Sequence, residues 1–309
     1  MLLDQIATRS DVYSEFLRIV RRIATAETSI LITGETGSGK DFVAEVIHDA
    51  SPRRAFPFLK IDCASIPSSL AESEFFGYEK GAFSDAVSAK PGKLQLAEGG
   101  TVYLDGINHL SATVQSKLLR FAQERTLDPL GGTRSVTVNC RLITSVSAPL
   151  QQCLREKQLR EDLYYRLAAV TIEVPPLRSR LQDLDLLLES LLREFNEKYH
   201  RTVAFTGEAI VVLRQYHWPG NIRELRNVVE HAVIHCESRV EAADLALNYS
   251  SAAPEFLSHA ISNNLSLEDM ERIYILEVLN RCGGHLGKAS DMLKINRKTL
   301  WMKRRKYGI

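Results

Sequence analysis

Residues 34–41 read GETGSGKD, a spacing of glycines and one lysine suited to holding a triphosphate. Gly34, Gly37 and Gly39 let the backbone turn sharply and aim its N–H groups inward, with Glu35, Thr36 and Ser38 between them. Lys40 follows at the spacing that brings an ammonium to the outer phosphates. The apolar run entering the loop, 29–32, predicts a buried strand, and the periodic segment 42–48 predicts a helix whose N-terminus favours an anion. A plain glycine-rich turn is the alternative, and the complete pattern in a strand–loop–helix setting outweighs it. Asp41 stands where a magnesium-binding hydroxyl is usual.

Three further segments could complete such a site. The run 101–105, TVYLD, is an apolar strand ending in Asp105, the place for a carboxylate that holds magnesium directly or through water. Gly106, which follows, has no side chain. The run 159–167, LREDLYYRL, places Arg160 and Arg166 six residues apart, and 218–224, WPGNIRE, puts Arg223 just inside a helix. Taken alone these arginines read as solvated surface cations; downstream of a phosphate loop they read as triphosphate sensors.

The elements needed to position these residues are legible. Strands are expected at 29–33, 58–63, 101–105, 140–145 and 171–174, separated by helices such as 111–124, where Val114, Leu118, Leu119 and Phe121 share a face. That alternation implies a parallel α/β sheet. From about Pro175 the strand signal stops, and helices are expected over 184–199, 207–216 and 222–236. The segment 249–264 is rich in small and polar residues and reads as a linker. The expected domains are therefore 1–174, 175–248 and 265–309, with the linker between the last two.

With 45% hydrophobic and 25% charged residues and a net charge of +1, the 309-residue chain reads as globular, and nucleic-acid binding must rest on a local patch. No apolar run spans a bilayer, and no secretory signal opens the chain, so a cytoplasmic protein without membrane contact is expected. Five scattered cysteines suggest neither zinc nor a disulfide framework.

The C-terminal patch is local and basic. Ser266 is a plausible N-cap for a helix over 267–282, and 286–293, 294–296 and 297–307 read as helix–turn–helix, with Ala289 small enough for a close crossing. Seven lysines and arginines and no acids lie between 294 and 309. Leu300 and Trp301 sit at helical spacing within that run, which favours DNA binding over a charged tail. Arg297, Lys298 and Thr299 open the second helix, where base edges and nearby phosphates are met, with Trp301 one turn further in. Lys303, Arg304, Arg305 and Lys306 suit backbone contacts. Ile273, Leu276, Val278 and Leu279 are candidates for a dimer contact or for the core.

Taken together, GETGSGKD, ESEFFGYEKGAFSDA (72–86), GGTVYLD (99–105), LREDLYYRL, VPPLRSR (174–180) and WPGNIRELRNVVE (218–230) resemble the AAA+ domain of bacterial enhancer-binding proteins, the activators of sigma-54 RNA polymerase. The C-terminal unit resembles their Fis-type DNA-binding domain. The resemblance implies an AAA+ P-loop sheet with a helical lid, then a small all-α domain, and ATP and Mg2+ as ligands. It also implies dimers that assemble into a ring, usually a hexamer, on upstream DNA sites. Lys40 and Asp105 would hold phosphates and magnesium, Arg160 and Arg166 would reach a neighbour's γ-phosphate, and Arg223 would act from the lid. An acid commonly follows the loop lysine in that family, as Asp41 does here.

Two departures qualify the resemblance. Gly81, Ala82, Phe83, Ser84, Asp85 and Ala86 read GAFSDA where the sigma-54-contacting loop is usually GAFTGA. Phe83 is kept, but Asp85 adds a charge and excludes backbone angles that glycine reaches freely, which bears directly on the sigma-54 holoenzyme as a partner. Gly106 replaces the glutamate that polarises the attacking water, and Val146 and Ser147 replace the usual first-sensor pair. Either Asp62, at an adjacent strand end, supplies the missing carboxylate, or ATP binds and orders the ring with little cleavage; the second reading is favoured. A family member that regulates by DNA binding without a working motor or sigma-54 contact is the alternative. The signature begins almost at residue 1, so control by a partner in trans, by expression level, or by a trimmed domain is expected.

Overall fold

The computed structural model describes residues 2–83, 86–247, 265–282 and 285–308. Two compact units result, Met1–Leu247 and Asn248–Ile309. The expected linker, 249–264, falls wholly outside the described residues, as do the loop positions Ser84 and Asp85.

The first unit is built on five parallel strands: β1 (Ile30–Thr33), β2 (Phe58–Asp62), β3 (Thr101–Asp105), β4 (Arg141–Ser145) and β5 (Val170–Glu173). Their spatial order is β2–β3–β4–β1–β5. The central strands β1, β3 and β4 are buried along nearly their whole length because both faces are covered. Alternate side chains feed two cores. Leu31, Val102, Leu104 and Leu142 pack with Phe75, Leu118 and Phe121 on one side. Ile30, Ile32, Tyr103 and Ile143 pack with Val20, Val43 and Ile47 on the other.

The strands match the expected positions, with ends moved by a residue at β1, β2, β4 and β5. Arg141, the first residue of β4, is fully buried although, among the described residues, no carboxylate pairs with it. Its guanidinium donates to the carbonyls of Ile23 (2.9 Å) and Ala24 (2.7 Å), at the end of the helix Asp11–Ala24. A cation is favourable against those terminal carbonyls, and it ties the helix to the sheet.

A third core, from Leu177 to Val240, belongs to the helices Leu184–Tyr199, Gly207–Gln215 and Asn221–His235. Trp218 sits at its centre, edge-on to Tyr216, with its indole N–H on the Leu213 carbonyl at 3.0 Å. The expectation that strands stop at Pro175 is corrected here. Ala204–Phe205 and Arg239–Val240 pair in parallel, each too short to leave a periodic signal.

Among its described residues the second unit holds three helices, Leu267–Arg281, Leu286–Met292 and Arg297–Tyr307. Ser266 accepts the Asp269 N–H, as expected of an N-cap, and Asn296 caps the last helix through the Thr299 N–H at 2.7 Å. Ile275, Val278, Leu279, Ala289 and Leu300 form its core. Val278 and Leu279 are thereby spent inside the unit, whereas Ile273 and Leu276 are exposed.

Candidate functional site

The loop after β1 closes onto the helix Lys40–Asp49, whose N-cap is Gly39 at φ +102°. Gly37 is required for a different reason. A Cβ there would lie 2.3 Å from the Gly220 carbonyl oxygen. Lys40 is 8% exposed, and its ammonium donates to the carbonyls of Gly34 (2.9 Å) and Glu35 (3.1 Å). Burial pulls its pKa down, and the carboxylates of Asp105 and Asp41 oppose that pull.

A cavity of about 500 Å³ opens over this loop, lined in part by Thr36, Gly37, Lys40, Asp41, Asp105 and Arg223. The expected phosphate-binding cations and magnesium ligand thus meet in one place. Arg226, which the sequence reading missed, lines it too and is paired with Glu194. It lies three residues, one turn, beyond Arg223 on the same helix, and that spacing was the available signal.

The two acids converge on one group. The Tyr103 hydroxyl lies 3.0 Å from Asp41 and 3.1 Å from Asp105, and Asp105 also accepts from Ser145 at 2.5 Å. Burial pushes the Tyr103 pKa far up, so the hydroxyl keeps its single proton and can satisfy only one carboxylate at a time. Asp41 is further ion-paired with Lys60. Two hard oxygen donors drawn together beside a buried ammonium fit a nucleotide with Mg2+, whose charge would relieve their repulsion.

The lid reaches the loop directly. The Ile222 N–H donates to the Gly37 carbonyl at 3.0 Å. Fully buried Asn221 donates to Glu35 (3.0 Å) and to the Thr36 carbonyl (3.1 Å), and accepts from the Leu177 N–H at 2.8 Å. Hydrogen bonds from Arg178 hold the Glu35 carboxyl below its usual pKa. Arg180, stacked 3.9 Å over Tyr13, donates to the Ser38 carbonyl.

Other expected residues lie elsewhere. Arg160 pairs with Asp162 at 2.7 Å, and Arg166 donates to the Ala122 carbonyl; neither lines the cavity of its own chain. Asp62 ends β2 beside Asp105, but its carboxylate accepts the Ala64 N–H and stays out of the cavity wall. Around Gly106 the chain has placed other groups. Ser147 lines the cavity, its N–H held by Asn108 and its hydroxyl 3.2 Å from His109 Nε2.

The loop 81–86 is closed at its base by the Gly81 N–H on the Ala86 carbonyl at 2.8 Å. Ala82 packs so close to Gly131 that a Cβ there would lie 2.9 Å away, and the exposed Phe83 ring rests on Tyr78.

In the second unit Trp301 and Met302 are exposed on the basic helix, with Arg305 over the indole ring. Lys303 and Lys306 are ion-paired with Glu271 and Glu268 of the first helix, so part of their charge is compensated within the unit. The Thr299 hydroxyl is occupied with Asn296 at 2.9 Å. Arg297 packs over Gly287.

Residues 6–173 match the sigma-54 interaction domain, 178–260 the AAA+ ATPase lid domain, and 266–307 the Fis family of bacterial regulatory proteins. The chain belongs to the sigma-54 interaction domain family. Among its relatives is the alginate biosynthesis transcriptional regulatory protein AlgB of Pseudomonas aeruginosa, 37% identical over 307 residues, covering 99% of this chain and 68% of AlgB. Another is the DNA-binding transcriptional activator HyfR of Escherichia coli, 37% identical over 318 residues, covering 98% of this chain and 48% of HyfR. The chain spans about half the length of several curated relatives in the family. A crystal structure of NtrX from Brucella abortus in complex with ATP is 31% identical, with a TM-score of 0.71, covering 98% of this chain and 69% of NtrX. The family fold, a P-loop AAA+ sheet with a helical lid followed by a helix–turn–helix domain, is the one found here. Among the described residues no helix is long and apolar enough to cross a membrane.

Proposed function

We propose that this chain is an ATP-binding, DNA-binding transcription regulator of the sigma-54 activator type, assembling as a ring on upstream sites with weakened ATP hydrolysis. The carrying observation is the cavity where Lys40, Arg223, Asp105 and Asp41 meet while Gly106 offers no water-polarising side chain. Lys40 and Arg223 bind the phosphates, Asp105 with Asp41 holds Mg2+, and the ion neutralises phosphate charge. Arg160 and Arg166, turned away from their own cavity, suit contact with a neighbouring copy. Exposed Ile273 and Leu276 suit pairing of the DNA-binding units. The domains are taken as 1–174, 175–248 and 265–309.

Hydrolysis is expected well below about one turnover per second, since losing a water-positioning group costs orders of magnitude. A steady-state rate of about one per second that vanishes in Asp62→Ala would overturn this reading. Transcription reconstituted with each sigma factor tests the target. Dependence on sigma-54 and on hydrolysable ATP supports the activator; equal output with a non-hydrolysable analogue favours a regulator that acts through DNA alone.

DNA contact makes its own prediction. Lys298→Ala, removing an exposed cation near the start of the basic helix, is expected to weaken binding to all sequences alike. It should also lower the slope of log affinity against log salt by roughly one. Lys306→Ala, whose charge is shared with Glu268, should change that slope less, and equal slopes for the two variants would contradict the assignment.

A further inference from the structure

The space beside Gly106 is occupied. A Cβ at that position, where φ is +72°, would lie 2.7 Å from the Ser147 hydroxyl and 2.9 Å from Cδ2 of His109. Ser147 and His109 therefore fill the place into which a side chain at residue 106 would grow. They come from different segments, 38 residues apart, and meet at 3.2 Å between Oγ and Nε2. The Ser147 backbone is pinned by the Asn108 carboxamide at 3.0 Å, and the Gly106 N–H by the Ser145 hydroxyl at 3.0 Å. Ser147 lines the cavity, and His109 stands behind it, open to solvent.

Phosphoryl transfer to water requires a group that orients the nucleophile and takes its proton. The acids of the cavity wall are engaged: Asp105 accepts from Ser145, Asp41 is ion-paired with Lys60, and the two share the single proton of the Tyr103 hydroxyl. Ser147 is the cavity-lining hydroxyl beside Gly106 with a proton acceptor at its back. The geometry points to Ser147 as the residue that holds the attacking water, and to His109 as the positioning residue that accepts the proton through it. This rests on the reading that ATP occupies the cavity over Lys40. In the step, the water oxygen bonds to the γ-phosphorus while the bond from that phosphorus to the β–γ bridging oxygen breaks, its electron pair leaving with ADP. A water proton passes to Ser147 Oγ as the serine's own proton passes to His109 Nε2, and the exposed imidazolium releases it to solvent.

The test compares the full chain with Ser147→Ala and His109→Ala. It uses single-turnover hydrolysis, ATP affinity, and affinity for ADP with aluminium fluoride, a mimic of the transferring phosphoryl group. Each variant is expected to cleave ATP roughly tenfold more slowly, the rate equivalent of one hydrogen bond, with ATP affinity unchanged. Each should also bind the aluminium fluoride complex roughly tenfold more weakly, because the contact matters only in the transition state. Added imidazole should restore part of the rate in His109→Ala and none in Ser147→Ala. Wild-type rates and wild-type aluminium fluoride binding in both variants would overturn the assignment, as would equal losses of ATP affinity and rate. No ATP binding by the unaltered chain would overturn the underlying reading as well, and is told apart by the binding measurement alone.

Discussion

Lys40→Ala is expected to lower ATP affinity more than roughly 100-fold, since two charge-assisted hydrogen bonds are worth at least about 3 kcal/mol. The side chain is buried at the loop, bonded to the carbonyls of Gly34 and Glu35 and poised beneath the cavity. Its removal also strips Asp41 and Asp105 of a nearby positive charge, so the site would repel a triphosphate. The fold should persist, because burial already works against the ammonium and alanine needs no hydrogen-bond partner. Calorimetric titration with magnesium and ATP, alongside a thermal melt, separates the two effects. An unchanged melt with affinity within about threefold of wild type would contradict the placement of the phosphates over Lys40.

Asn221→Ala is expected to destabilise the first unit by about 3 kcal/mol and to weaken ATP binding at a distance from any phosphate contact. Asn221 is fully buried, and its carboxamide bonds to two other segments: Leu177, and the adjacent loop residues Glu35 and Thr36. Alanine would leave the Leu177 N–H buried without its acceptor, a cost of about 1–3 kcal/mol. It would also hold a Cβ residue at φ +53°, which asparagine tolerates better and which adds about 1 kcal/mol. For a unit of this size the melting point should fall by roughly 6–12 °C. Asn221→Gly separates the causes, since glycine accepts that φ without strain and still loses the hydrogen bonds. A melt within about one degree of wild type in both variants would refute the bridging role.

How far the sequence carried these sites depends on how local each signal was. The loop GETGSGKD, the strand ending at Asp105 and the helix opening before Arg223 were legible because the glycines, apolar runs and caps act on near neighbours. The meeting of Asp105, Lys40 and Arg223 was expected from the family resemblance, which assigns all three to one nucleotide site. Contacts made by folding alone were not legible. Nothing in residues 106–109 signals that His109 will face Ser147, since 38 residues separate them. Nothing near Arg141 signals that a buried guanidinium will cap a helix more than a hundred residues earlier. The paired strands of the lid were missed because two residues cannot display a period of two. Lys303 and Lys306 are expected as DNA-backbone contacts, yet both answer acids on a helix whose charge pattern, Glu268 and Glu271, is in plain view.

Gly37 approaches the Gly220 carbonyl so closely that no side chain fits between the two backbones. With the Ile222 N–H anchored on the Gly37 carbonyl, the phosphate loop and the lid form one mechanical part assembled from stretches far apart in the chain. Swapping lids between relatives should therefore fail unless residues 34–41 travel with the transplanted segment, so the interchangeable cassette of this chain is discontinuous.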